Sequence, residues 1–306
     1  MKWGFCVPYL HEDPSMFSEI ITVAAARYDV SEAVIEKDYY VTMLLKNMAR
    51  RLPFLVFKGG TSLSKCYQII HRFSEDIDLT VDRVLTQGMR RSLKNEIRDT
   101  VDEVGLSVEN WDTIQSRRQY NRYEIVYSSH TALSAGLTDR IIIETSLMSL
   151  GMPAQMKPIE AMLTEVLKKE HQSIIKEFSL HPFSMKVQNI ERTFIDKIFA
   201  ICDYYLCEQT MRHSRHLYDI AKIWALITPN DSFRALIAEV RETRQSMKNC
   251  PSAQPDVIIT EVLREIINRN VYQADYEKLT RNLLAEPFSY ADTLEKLREV
   301  ADSDLF

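Results

Sequence analysis

FKGGTSLSKCYQIIHRFSEDIDL, residues 57–79, is the stretch from which the rest of the chain is read. It is entered from Phe54-Leu55-Val56-Phe57, a short unbroken apolar run of the kind a buried strand presents. Gly59-Gly60 follows at once, in a chain with only 7 glycines among 306 residues, well under the roughly 7% of average usage. Thr61 and Ser62 then supply an N-cap hydroxyl ahead of Leu63, Ile69 and Ile70, which predicts a helix over 61–70. Glycine lets backbone approach a ligand closely, and a helix N-terminus offers unpaired N–H groups and the positive end of its dipole. Strand, glycine pair and helix therefore make a candidate phosphate site, with Thr61, Ser62 and Lys65 as further donors. A tight strand-to-helix turn with no ligand accounts for the glycines equally well. The segment is not a Walker A loop, because GxxxxGK[ST] needs a glycine directly before Lys65.

At the far end of the stretch, Ile77, Leu79 and Val81 alternate with Asp76, Asp78 and Thr80, a period of two that predicts a strand with one acidic face. Residues i and i+2 of a strand share a face, so the carboxylates of Asp76 and Asp78 project together. Side by side they repel, and a divalent cation between them relieves the repulsion. Mg²⁺ takes one or two carboxylates together with substrate phosphates, and a metal pair clamps both oxygens of an in-line phosphoryl displacement. An isolated DxD is more often a solvated edge strand. Here the order carries the weight: a glycine pair ending one strand, a helix, then DxD on the next strand.

Working outward, residues 14–27 and 31–51 read as helices, the second with Ser31 as N-cap and Pro53 as its stop. Residues 86–104 read as a further helix, and 123–127 and 140–145 as strands. From about residue 188 strand signals vanish and amphipathic stretches follow at 188–207, 214–227, 231–247, 256–269 and 274–300. The expectation is an N-terminal domain of strands and helices over 1–185 and a helical C-terminal domain over 186–306, two domains being what the length suggests.

A hydrophobic content of 45% and a charged content of 26% are those of an ordinary soluble globular chain. With 38 basic and 43 acidic residues the net charge is −5, which excludes a general nucleic-acid coat and leaves only a local basic surface for such a contact. Five scattered cysteines without CxxC spacing argue for a reducing cytoplasm and against a zinc or disulfide framework. No apolar run approaches the roughly 18 residues of a membrane span, and Trp3, Pro8 and His11 are unlike a signal peptide. The expected location is cytoplasmic.

The order of glycine pair, helix and DxD is that of DNA polymerase β-type nucleotidyltransferases. Within them, residues 57–79 resemble the AbiEii/AbiGii toxin family, the nucleotidyltransferase half of type IV toxin–antitoxin (abortive infection) pairs. IEKDYYVTMLL (35–45) is similar to that family's N-terminal helix, and RTFIDKIFAICDYY (192–205) with RHLYDIAKIW (215–224) to its C-terminal lysine and aspartate motifs, so the resemblance spans about residues 30–225. Fifteen residues separate Gly60 from Asp76, slightly more than the superfamily spacing, which a helix about one turn longer absorbs.

The resemblance implies an α+β fold. A polymerase β-like nucleotidyltransferase domain with a mixed sheet is followed by an all-helical domain that contributes Lys197 and Asp219 to the cleft. It implies an Mg²⁺-dependent enzyme, Mn²⁺ being the alternative ion, that moves an NMP from an NTP to an acceptor hydroxyl and releases pyrophosphate. It also implies tRNA as the acceptor and a cognate winged-helix antitoxin as partner. Carried over by position, Gly59, Gly60 and Ser62 hold the triphosphate and Asp76 and Asp78 the metal. Glu144 is the best match to a third carboxylate, with Asp139 and Glu160 as alternatives.

Lys197 lies on an apolar helical stripe with Ile190, Phe194, Ile201 and Tyr205, where an ammonium needs an anion or a path to water. The resemblance supplies the anion as a nucleotide phosphate or a catalytic carboxylate. Asp219 is spaced for an i,i+4 ion pair with Arg215, and the resemblance makes it the family's last aspartate. His71 and His216 read as structural. Arg117, Arg118, Tyr120, Arg122 and Tyr123 interleave basic and aromatic groups as nucleic-acid surfaces do, and as solvated hairpins also do. The rival readings are NMP transfer to a protein or small molecule, and an idle nucleotide-binding module, against which Asp76, Asp78, Lys197 and Asp219 count.

Overall fold

A seven-stranded mixed sheet runs in the order β3-β4-β5-β2-β1-β7-β6. Its strands are β1 Leu55–Lys58, β2 Ile77–Val81, β3 Ser107–Val108, β4 Tyr120–Val126, β5 Arg140–Leu150, β6 Ala154–Ile159 and β7 Phe183–Gln188. The computed structural model describes residues 8–72, 74, 76–132, 138–168 and 171–306; Cys6 lies outside them. β2 pairs parallel with β5 and β1 with β7, while β4 runs antiparallel to β3 and β5. The strands anticipated at 54–57, 76–81, 123–127 and 140–145 are present, β4 and β5 being longer than expected, and β3, β6 and β7 are additional. β7 alternates Phe183, Met185 and Val187 with Ser184 and Lys186, a pattern short enough to pass for loop. β6 contains Pro158, which sheets tolerate at an edge, and β6 is an edge strand.

Register sets the character of each face. Ile77, Ile143 and Tyr123 are partners across β2, β5 and β4, and all three are buried. One residue further along, Asp78, Glu144 and Arg122 are partners and project to the opposite face. These strands belong to a compact unit comprising Met1–Phe57, Glu75–Leu150 and Gln155–Val187. Its helices include α1 Pro14–Tyr28, α2 Glu32–Arg51, α4 Gln87–Glu103, α5 Met162–Leu167 and α6 Gln172–Glu177. Asp13 caps α1 at the amide of Met16. Phe17, Tyr39, Tyr40 and Tyr127 cluster with centroids of 4.9 Å for Phe17–Tyr39 and for Tyr40–Tyr127, joining α1 and α2 to the end of β4.

The family-like IEKDYY run is explained here as an anchor. Buried Glu36 accepts from the His130 amide at 2.7 Å and from the Ser129 and Thr131 hydroxyls at 2.8 and 2.6 Å. Lys37 donates to the Thr138 carbonyl at 2.7 Å, and Asp38 accepts from the Met162 amide at the start of α5, also at 2.7 Å.

The second unit comprises Lys58–Ser74, Gly151–Ala154 and Gln188–Phe306. Its helices are α3 Gly59–Ser62, α7 Ile190–Leu206, α8 Arg215–Trp224, α9 Asp231–Gln245, α10 Ile259–Asn268, α11 Gln273–Lys278 and α12 Tyr290–Ala301. Residues 58–74 group here because Leu63 and Ile70 lie in one core with Phe194, Ile198, Ile220 and Leu263. The helix expected over 61–70 instead begins at the glycines, continues as a π turn over Leu63–Tyr67 and ends where Gln68 turns left-handed at φ 55°. The single helix expected over 274–300 is two: α11 ends at Lys278, a 3-10 turn follows over Thr280–Leu283, and after Pro287 a capping box of Ser289 with Asp292 starts α12. No helix among the described residues is long and apolar enough to cross a membrane.

Candidate active site

The two glycines have two different physical reasons. Gly59 has φ 78°, a left-handed conformation that a side chain disfavours. Gly60 is constrained by space: a Cβ there would stand 2.4 Å from Nη2 of Arg72 and 2.9 Å from Oγ of Ser74. The Ser62 hydroxyl is fully buried and donates to the Gly59 carbonyl at 2.8 Å, while the Thr61 hydroxyl donates to Ser74 Oγ at 2.9 Å. These side chains thus shape the turn. Lys65 lies half-buried in the π turn.

Arg72 is the residue that sequence reasoning missed. It is buried, and its guanidinium forks onto Asp219 of α8, with Nε to Oδ1 and Nη2 to Oδ2 both at 2.7 Å. Lys197 of α7 donates to the same Oδ2 at 2.7 Å, and His216 Nδ1 stands 3.4 Å from its Nζ. The anion opposite Lys197 in this structure is therefore Asp219, where the expectation was a nucleotide phosphate or a catalytic carboxylate. Asp219 in turn serves Arg72 and Lys197. Burial alone would raise the Asp219 carboxyl, but the two cations outweigh it and hold its pKa well below the ordinary carboxylate value. Burial and the neighbouring Lys197 charge push His216 well below 6.5, so its ring stays neutral at physiological pH. His216 also stacks beside Tyr204 at 5.8 Å, and His213 covers the same ring at 3.5 Å. His71 contributes its backbone, the amide donating to the Tyr218 hydroxyl and the carbonyl accepting from Ala285. The signal for Arg72 was present but faint: a cation two residues after the apolar pair Ile69-Ile70, inside the motif itself.

The carboxylates occupy the sheet-bearing unit. β2 begins at Ile77, so Asp76 stands immediately before the strand and not on it. Asp78 and Glu144 are register partners on adjacent parallel strands, which puts their side chains next to each other on one face. The alternatives to Glu144 are placed elsewhere. Asp139 is exposed beside Arg140, at 3.5 Å, and Glu160 is paired with Lys168 at 2.8 Å. Arg122 Nε lies 3.9 Å from Glu144 Oε1. Burial raises the Tyr120 hydroxyl above its usual value, helped by the negative charge of Glu144. Among the described residues no three His, Cys, Asp or Glu side chains converge to hold a metal unaided. Two adjacent carboxylates with a third nearby still suit Mg²⁺, whose shell is ordinarily completed by water and substrate phosphates.

The chain matches, over residues 47–301, the model of a family described as nucleotidyl transferase AbiEii toxin, type IV TA system. Among solved structures it is similar to MenT4, a nucleotidyltransferase toxin from Mycobacterium tuberculosis H37Rv, with a TM-score of 0.60 and 18% identity, covering 94% of this chain and 88% of that one. At that identity the likeness is one of fold. No curated protein matches the chain in sequence.

Proposed function

Because the chain belongs to the AbiEii nucleotidyl transferase toxin family of type IV toxin–antitoxin systems, we propose that it transfers an NMP from an NTP to a hydroxyl of tRNA, in the cytoplasm, under the control of a cognate winged-helix antitoxin. The family carries the reaction class, an NTP substrate and an antitoxin partner. The observation that favours catalysis over idle binding is the pairing of Asp78 with Glu144, which adds a second strand's carboxylate to the DxD motif.

In this reading Asp76 and Asp78 would hold Mg²⁺, with Glu144 beside Asp78 as the further catalytic carboxylate. When bound, the ion neutralises charge on the triphosphate and acidifies the acceptor hydroxyl. The backbone amides of the Gly59–Ser62 turn receive phosphate oxygens, as oriented N–H groups do without a side chain. Lys197 supplies a positive charge held in place by Asp219, and Arg72 ties the same aspartate to the glycine turn. The cations are thus positioned before nucleotide arrives, the condition under which electrostatic stabilisation of a transition state is largest.

The test is label transfer from each α-³²P-NTP, with unfractionated tRNA and Mg²⁺, by the wild type and by folded Asp78→Ala and Glu144→Ala. The Asp78→Ala rate should fall by roughly 10³-fold and the Glu144→Ala rate by a comparable order. Label arriving in protein or in small molecules would replace the tRNA reading. Near-normal transfer by Asp78→Ala would overturn the carboxylate assignment.

A further inference from the structure

In a protein of net charge −5, cations left without carboxylate partners gather on one part of the sheet-bearing unit. Helix α4 has two unlike flanks. Glu96 and Glu103 close onto Arg50 and Arg51 at the end of α2, with Arg51–Glu96 at 3.0 Å and Arg50–Glu103 at 2.8 Å. The other flank carries Arg90, Arg91, Lys94 and Arg98, spaced at i, i+1, i+4 and i+8, of which Arg98 has the Asp99 carboxylate at 3.7 Å. Lys94 and Arg98 lie over the Trp111 ring at 4.2 and 4.7 Å from its centroid, and Lys94 also donates to the Ile114 carbonyl at 2.7 Å. Arg117 and Arg118 follow in the same loop, exposed and tethered only to uncharged acceptors, Gln115 and the Thr113 carbonyl. Among the described residues, no carboxylate lies within ion-pair distance of Arg90, Arg91, Lys94, Arg117 or Arg118.

The loop runs directly into β4, where Tyr120 is exposed and lies on the same face as Arg122, the register partner of Glu144, which in turn is the register partner of Asp78. Tyr123, part of the same basic-aromatic run, is buried in the core and takes no part. The surface therefore begins on α4, passes Trp111 and the two arginines, and ends in an exposed ring beside the carboxylates.

We propose that this surface, α4 flank to Tyr120, binds the acceptor strand of an RNA: the cations take its phosphates and Tyr120 stacks on a base next to the reacting end. This rests on the tRNA reading above. Three features favour RNA over an acidic protein. Cations beside aromatic rings are the combination that tracks a single strand. The indole holds two of the cations in place. The ring at the end leads to the carboxylates, where an acceptor hydroxyl is needed.

The experiment is fluorescence anisotropy of the full chain with fluorescein-labelled unfractionated tRNA, over a salt series. The wild type is compared with Arg117→Glu/Arg118→Glu and Lys94→Gln/Arg98→Gln. Each pair should weaken binding about 10-fold or more near 0.1 M salt and should lower the slope of log affinity against log salt by about 2, one per lost phosphate contact. NTP affinity by calorimetry should stay within about twofold, since these residues stand outside the proposed nucleotide contacts. Unchanged affinity and slope would overturn the surface, as would a wild type that does not bind tRNA. Loss of antitoxin capture with tRNA binding intact would assign it to a protein instead. Label transfer separates the two claims. If tRNA binds and the variants weaken it, yet no label enters RNA, the function falls and the surface stands. If label enters tRNA and the variants bind normally, the reverse holds.

Discussion

A methyl group is the smallest change that asks why residue 60 is glycine. Close approach of a triphosphate is one reason, and the guanidinium of Arg72, 2.4 Å from the site of a Cβ, is another. The second acts without any ligand. Gly60→Ala should therefore cost about 1–3 kcal/mol in the apoprotein, the usual range for overpacking. In an Arg72→Ala background the same substitution should cost much less. A urea-denaturation double-mutant cycle reads the difference directly; equal costs in both backgrounds would remove Arg72 from the explanation. The cycle also bears on Asp219, whose carboxylate orients Arg72 and Lys197 together. Removing that carboxylate leaves two buried cations facing each other, whereas removing Lys197 leaves the Arg72 fork in place.

Among the elements, α2 does more than cover the sheet. Its Glu36 receives three hydrogen bonds from residues 129–131, its Lys37 holds Thr138 and its Asp38 caps the start of α5. Glu36→Ala takes the acceptor from the His130 amide and the Thr131 hydroxyl and one of two acceptors from the Ser129 hydroxyl, so it should cost about 1–3 kcal/mol. Hydrogen exchange should show the loss first at the amide of His130. Exchange at 130 no faster than in the wild type would mean that the loop is held by other contacts. The helices and the central strands were legible because period and capping are local properties of the chain. β6 and β7 were not. β6 lies largely exposed at the sheet edge and carries Pro158, and it is a strand by virtue of the neighbour it pairs with. The break between α11 and α12 could have been read from Pro287 and the Ser289–Asp292 box, local signals that the amphipathic pattern of 274–300 obscured.

For the molecule as a whole, pH is the variable that the buried charges make informative. The His216 ring is held well below 6.5 by burial and by Lys197. Below about 6.5 the unfolded chain takes up a proton that the folded ring refuses, so stability falls as pH drops from there towards the depressed folded value and is flat above. Asp219 acts in a lower window. Its contribution is complete above about 3.9 and is lost as pH falls through its lowered folded value. Between pH 7 and 5 the melting temperature of the wild type should therefore fall more than that of His216→Gln. Parallel curves would show that His216 is not the responsible group, and His213 and His11, lowered by burial in the same sense, would then be tested next. The succession of strand, glycine pair, helix and DxD, and the change to helices near residue 188, were legible along the chain because each is written in short-range period or in a motif, and the same local signals singled out Lys197 and Asp219. It took the packed fold to show that Arg72 meets Asp219, 147 residues away, that Glu144 and not Asp139 or Glu160 stands beside Asp78, and that Gly60 makes room for a guanidinium. The physical reason is common to all three. Which carboxylate a buried cation meets, and which strand lies beside another, follows from how the elements pack, and no spacing along the chain encodes it.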